Sequence, residues 1–223
     1  MHQIIDLTHT ITPDIPGWDG DCGFAIKQVL DYSDCEEPYL FRKHDVATPS
    51  GIGTHMDSPA HCLPGGKTIE QLSLENLVTD CVLIRVDDVA DENYIVMPSV
   101  VEEFEKKHGE IKENAFVIFY TGWDKYWGDK EKYNNDHTFP SVHEDTAKLL
   151  LDRNIAGLGI DTLSADTGKN GFPVHKTILE AGKYLVENIA QAGELPPTGA
   201  KIAVLPMKIK GAAEAPIRLI AFI

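Results

Sequence analysis

The chain has 223 residues, 43% of them hydrophobic and 25% charged, an ordinary balance for a globular protein whose core supports itself. Its formal net charge of -15 argues against nucleic acid or an anionic membrane surface as the main partner. An anionic small substrate is not excluded, because a bound divalent ion reverses the sign locally.

The opening stretch MHQIIDLTHTITPDIPGW has no basic segment followed by an apolar run, so no signal peptide is expected. No stretch reaches the roughly 18 apolar residues that a membrane span requires. Cys22, Cys35, Cys62 and Cys81 form no CxxC pair, which suits reduced thiols. A soluble, cytoplasmic protein is expected. No linker, repeat or low-complexity tract divides the chain, so residues 1–223 read as one domain.

In chain order, HQIIDLTHTI (2–11) reads as an opening strand ended by Pro13 and Pro16. FAIKQVLDYS (24–33) alternates apolar and polar residues in its first part, as a half-buried strand does. CVLIRVDDV (81–89) and AFVIFYTGW (115–123) are more continuously apolar strands. Between them, 98–109 reads as a helix, with Pro98 in its first turn and Gly109 closing it. A second helix is expected from Ser141, capped in a box with Glu144, to about Arg153. It leads into the strand IAGLGID (155–161). Two final strands, 200–209 and 215–223, form a hairpin through KGAAE. Helices alternate with strands while neighbouring strands also hairpin, which predicts an α/β fold with a mixed sheet flanked by helices.

GIGTHMDSPAH (51–61) carries the chemistry. In an extended segment, side chains two apart point the same way, so His55 and Asp57 can address one ion. His61 returns after Pro59. The spacing alone is equally compatible with a polar surface loop, and a metal centre needs further donors. His175 opens a short helix that Gly182 closes, and the strand-like KYLVEN that follows carries Glu187. By periodicity alone Glu187 faces solvent, although an acid among Leu185, Val186 and Ile189 is an odd choice for a core strand.

GTHMDSPAH resembles the H-x-G-T-H-x-D-x-P-x-H signature of the cyclase-like metal-dependent hydrolases, the family of bacterial kynurenine formamidase and isatin hydrolase. IIDLTHTITPDIPGWDGD, YTGWDKYWG, GLGIDTLSAD, the 175–187 segment and the C-terminal hairpin follow in family order. The resemblance implies a swivelling β/β/α domain assembled into homodimers or homotetramers. It implies metal ligation by His55, Asp57, His175 and Glu187, with Asp57 bridging where two ions are present. It further implies His61 as general acid/base and a pocket bordered by Trp18. Gly51 departs from the pattern, because the signature has a histidine there. Ser50 is a poor ligand, and Cys22 or His44 could replace the missing donor only if the fold brings them close. One ion per chain, zinc or manganese, held mainly by Asp57, His175 and Glu187, is the favoured expectation.

Such an ion lowers the pKa of bound water to roughly 7 and polarises a carbonyl, while His61 moves the proton. The expected reaction is hydrolysis of a C–N bond in a small amide, arylformamide- or lactam-like, or of an ester or lactone. A non-catalytic binding protein and a metal-dependent lyase or cyclase are the alternatives. Trp123, Tyr126 and Trp127 read as core or interface, and Asp14, Asp19 and Asp21 lack calcium-loop spacing. His9 reads as a strand residue. His137 and His143 have no partner at ligand spacing, and His2, His44 and His108 read as surface residues. Cys62 reads as an inert neighbour of the cluster. No nucleophile elbow or phosphate loop is present.

Overall fold

The structure, a computed structural model, describes residues 3–223, so the expectation for His2 lies outside it. The strands are β1 (Ile4–Asp6), β2 (Ala25–Leu30), β3 (Lys43–Ala47), β4 (His55–Asp57), β5 (Val78–Arg85) and β6 (Ile95–Val96). They continue with β7 (Phe116–Tyr120), β8 (Ser141–Val142), β9 (Gly157–Ile160), β10 (Tyr184–Glu187), β11 (Ala200–Pro206) and β12 (Glu214–Phe222). The helices are α1 (Leu74–Leu77), α2 (Pro98–His108), α3 (Lys130–Asn134), α4 (Glu144–Asp152) and α5 (Pro173–Glu180).

Eight strands form one mixed sheet in the order β1-β12-β11-β5-β7-β9-β10-β4. Because β4 also pairs with the first residues of β12, the sheet curls into a barrel-like ring with β1 on its flank. The expected α/β class and mixed sheet are observed: β5, β7, β9 and β10 run parallel, and β11, β12 and β4 pair antiparallel.

Strand alternation fills both faces. Cys81, Leu83, Phe116, Ile118, Tyr184 and Val186 pack inside the ring with Val204 and Leu219. Their neighbours Val82, Ile84, Val117, Phe119, Leu158 and Leu185 point outward. They are covered by Val101 of α2, Leu150 of α4 and Ile178 of α5. The inward residues of β9 are Gly157 and Gly159, and a Cβ there would strike the Tyr184 and Phe116 rings, which stack at 5.6 Å. The small residues of one strand thus make room for the aromatic ones of its neighbours.

Several boundaries differ from expectation. The opening strand is confined to Ile4–Asp6, after which only the Thr8–Ile189 bridge continues the pairing. The β2 strand is exposed from Ala25 to Val29 and only partly covered at Leu30, rather than half-buried along its length, because it pairs only with β3 in a two-stranded arm. Ser141 does not cap α4; it lies in β8, paired with β6, and the N-cap is His143, whose Nδ1 accepts the Asp145 N–H at 3.1 Å. The α2 helix begins at Pro98 and stops at Gly109 as the sequence predicts. No helix among the described residues is long and apolar enough to cross a membrane.

Candidate metal centre and its cleft

The alternation that sends Met56, Val186 and Ala215 into the ring turns their neighbours outward. His55 and Asp57 of β4, Glu187 of β10 and Glu214 of β12 therefore share the outer face of three adjacent strands. In register, His55 lies opposite Glu187, and Asp57 lies opposite Glu214. The α5 helix packs over this face, with His175 in its first turn, and the turn at Pro59–His61 carries His61 to the rim. Glu187 is 5% exposed, so the solvent-facing reading of periodicity is overturned: both faces of β10 are covered.

Two imidazoles face two carboxylates in mirrored fashion. His175 Nε2 lies 3.5 Å from Asp57 Oδ2 and 3.2 Å from Glu187 Oε1. His55 Nε2 lies 3.5 Å from Asp57 Oδ1 and 3.6 Å from Glu187 Oε2. Both rings are fixed from behind. His55 Nδ1 donates to the Gly53 carbonyl at 2.9 Å, and His175 Nδ1 donates to Asp166 Oδ2 at 2.8 Å. Each Nε2 is thereby left facing the centre, the arrangement by which outer groups orient metal-ligating histidines.

Asp57 is 1% exposed, and neither of its carboxylate oxygens has a hydrogen-bond partner. A buried, unpartnered carboxylate is costly unless a cation meets it. Burial opposes ionisation of Asp57, but His175 and His55 beside it hold its pKa below the ordinary carboxylate value. Burial likewise opposes charge on His55 and His175. Asp57 and Glu187 at both rings, with Asp166 at His175, outweigh it and raise both imidazoles above their usual value. A field that favours a proton on these nitrogens also favours a divalent cation between them. An imidazole and two carboxylates per side suit zinc or manganese, so the residues present fit such an ion.

His61 is exposed at the rim, its ring centroid 6.0 Å from that of His175. The cleft above is walled by Trp18, Ile52, Leu163 and Phe172. Trp18 stacks on His137 at 3.9 Å and leans on Phe172 at 5.6 Å. The His137 ring backs Trp18, and its Nε2 meets the Trp18 carbonyl at 2.8 Å. Phe172 holds a left-handed φ of 58° at the N-cap of α5 and sets its ring edge-on against His175 at 5.6 Å.

Of the residues singled out in the sequence, His55, Asp57, His61, His175, Glu187 and Trp18 all border this one cleft. The proposed spare donors do not reach the centre. His44 lies exposed on the arm, and the buried Cys22 thiol donates to the Pro13 carbonyl at 3.2 Å. Cys62 is exposed and unpaired. Two residues were missed. Asp166, within the quoted GLGIDTLSAD, gave no spacing signal because it acts across a loop; Glu214 was hidden in the turn of the C-terminal hairpin.

The Cyclase family model, described as "Putative cyclase", matches residues 5–167. An isatin hydrolase of Roseibium aggregatum is 27% identical over 99% of this chain and 92% of its own. A kynurenine formamidase of Maricaulis maris is 26% identical over 99% of this chain and 98% of its own. The solved structure of isatin hydrolase A from Labrenzia aggregata, bound to benzyl benzoate, superposes with a TM-score of 0.88 at 29% identity. That superposition covers 100% of this chain and 94% of the other.

Proposed function

The chain belongs to the Cyclase family, and from that premise we propose a metal-dependent hydrolase that cleaves the C–N bond of a small aromatic amide or lactam, or an ester or lactone. The observation that carries this reading is the buried Asp57, with two unpartnered oxygens between the Nε2 atoms of His55 and His175. The names of the relatives support the choice of bond, since isatin hydrolase and kynurenine formamidase both denote C–N cleavage.

Asp57, His175 and Glu187 would hold one ion, zinc or manganese, with His55 alongside. Bound there, a divalent ion supplies Lewis acidity that polarises a carbonyl and acidifies water. The remaining work belongs to side chains. His61 accepts the proton of the attacking water and delivers it to the leaving nitrogen, which its exposed position at the rim allows. Trp18 and Phe172 clamp a planar substrate and exclude water from its face. Asp166 keeps the His175 ring turned toward the centre.

The protein works on a small molecule, in the cytoplasm, as a homodimer or homotetramer. The β2–β3 arm supports assembly, since Ile26, Tyr39, Phe41 and Val46 are exposed there and a lone two-stranded ribbon has little stability of its own. The test is elemental analysis with a substrate screen. Protein purified without chelator carries zinc or manganese, hydrolyses aryl formamides or lactams, loses activity to chelator and regains it with metal. Metal-loaded protein that turns over none of these compounds, yet binds them, is the non-catalytic alternative.

A further inference from the structure

The cleft above the centre is lined with one sign of charge. Its wall carries five carboxylates, Asp19, Asp21, Asp57, Glu187 and Glu214, and no lysine or arginine. Among the described residues none of the five is ion-paired with a lysine or arginine. Asp57, Glu187 and Glu214 face only imidazoles, those of His55, His61 and His175. Asp19 and Asp21 are exposed on the segment that follows Trp18. A single divalent ion at Asp57, His175 and Glu187 offsets two of these five charges and leaves three, since ligating imidazoles are neutral.

Glu214 reaches the cleft through strand register and through Gly51. Ala215 turns into the ring, which sends Glu214 to the outer face, opposite Asp57. A Cβ on Gly51 would fall on the Glu214 carboxylate, with Cδ at 3.0 Å, so the glycine makes room for the acid. Ser50 Oγ donates to Glu214 Oε2 at 3.1 Å and holds it near His61, whose Nδ1 lies 3.7 Å from the same oxygen. The Glu214 side chain is 23% exposed, so its charge is only partly screened by solvent. The cleft encloses about 340 Å³, room for one small aromatic compound against Trp18, Ile52, Leu163 and Phe172.

We infer that the substrate carries no carboxylate: the cleft takes an uncharged or amine-bearing aromatic amide or lactam and refuses one that bears an acid, with Glu214 enforcing the choice. The inference rests on the reading of the chain as a hydrolase of small aromatic amides, and it narrows the substrate class of that reading. Like charges brought together in a confined, partly dry site are costly, and such repulsion is a direct source of specificity. Hydrolysis turns the neutral carbonyl group into a carboxylate, so the field that refuses an acid as substrate also helps to expel the acid product.

Three formanilides of similar shape and different charge are the probes: meta-formamidobenzamide, meta-formamidobenzoate and meta-(aminomethyl)formanilide. With metal-loaded wild type, kcat/KM for the benzamide exceeds that for the benzoate by about tenfold or more, and the aminomethyl compound matches or exceeds the benzamide. Glu214→Gln narrows the benzamide-to-benzoate ratio by about threefold or more. A change in the chemical step itself would move all three compounds alike and leave the ratio in place. Calorimetry with the amine products, meta-aminobenzamide and meta-aminobenzoate, reads the same order without turnover. Wild type alone suffices for these comparisons if Glu214→Gln folds poorly. A wild-type preference within about twofold in both measurements overturns the inference. A preference that Glu214→Gln leaves within about twofold overturns the role of Glu214. Hydrolysis of none of the three, with the binding order kept, overturns the hydrolase reading and leaves the charge selection standing.

Discussion

His175 Nδ1 lies 2.8 Å from Asp166 Oδ2, and the same oxygen accepts the backbone N–H of His175 at 2.9 Å. Asp166 Oδ1 accepts the Val174 N–H at 3.1 Å. One buried carboxylate thus fixes both the start of α5 and the ring it presents. Asp166→Asn is expected to weaken metal binding by about 10–100-fold, the usual effect of losing an outer-shell partner of a ligating histidine. Calorimetric titration checks this. Affinity within twofold of wild type would show that packing alone orients the ring.

Asp57→Ala and His61→Ala should separate binding from chemistry. Asp57→Ala loses bound metal and activity together, since both donor sets share this side chain. His61→Ala keeps the metal and loses roughly 10²–10⁴-fold in kcat, the usual worth of a general acid/base. Metal content and kcat measured on the same preparations decide it, and full metal retention by Asp57→Ala would place the centre elsewhere.

Metal removal should lower stability. An ion present at a hundred times its Kd adds about 2.7 kcal/mol. For a chain of this size that is roughly 5–10 °C in Tm. Chelated and reloaded protein compared by calorimetry should show that gap. Because His55 and His175 hold protons above the ordinary imidazole value, protons compete with metal, and the gap should shrink as pH falls. A gap that grows on acidification contradicts the assignment.

Trp18 should act through substrate binding. Its ring lies on the cleft wall, backed by His137 and next to Phe172. Trp18→Ala is expected to raise KM for an aromatic substrate about tenfold, with kcat little changed. An unchanged KM would mean that Trp18 is only packing.

His9 gives a pH-dependent term away from the centre. Burial lowers its pKa from 6.5 to about 4, and its Nε2 has no partner, while the ring stacks on Trp127 at 3.9 Å. Between those values the unfolded chain holds a proton that the folded one does not, so stability falls as pH drops from 6.5 toward 4. The full effect is about 3 kcal/mol. His9→Phe keeps the stack and removes the titration, so its Tm should fall less than that of wild type between pH 7 and pH 4. Parallel acid limbs would refute the assignment.

Much of this site is legible along the chain because the GTHMDSPAH segment carries its own geometry. Two residues apart on β4 means one face, and Pro59 turns His61 back toward it. The burial of Glu187 is not legible, since alternation reports which face a residue is on but not what covers it; here α5 does. Glu214 and Asp166 depend on tertiary register, β12 against β4 and the loop after β9 against α5, which local spacing does not encode. The arm shows the converse: β2 has strand alternation, yet no core lies against either face.

The most direct test of hydrolysis is turnover of an aryl formamide or lactam by the metal-loaded protein in oxygen-18 water. One labelled oxygen is expected in the carboxylate product, with no product after chelation and a large loss with His61→Ala. Turnover without label would contradict hydrolysis and assign the centre to elimination or cyclisation instead.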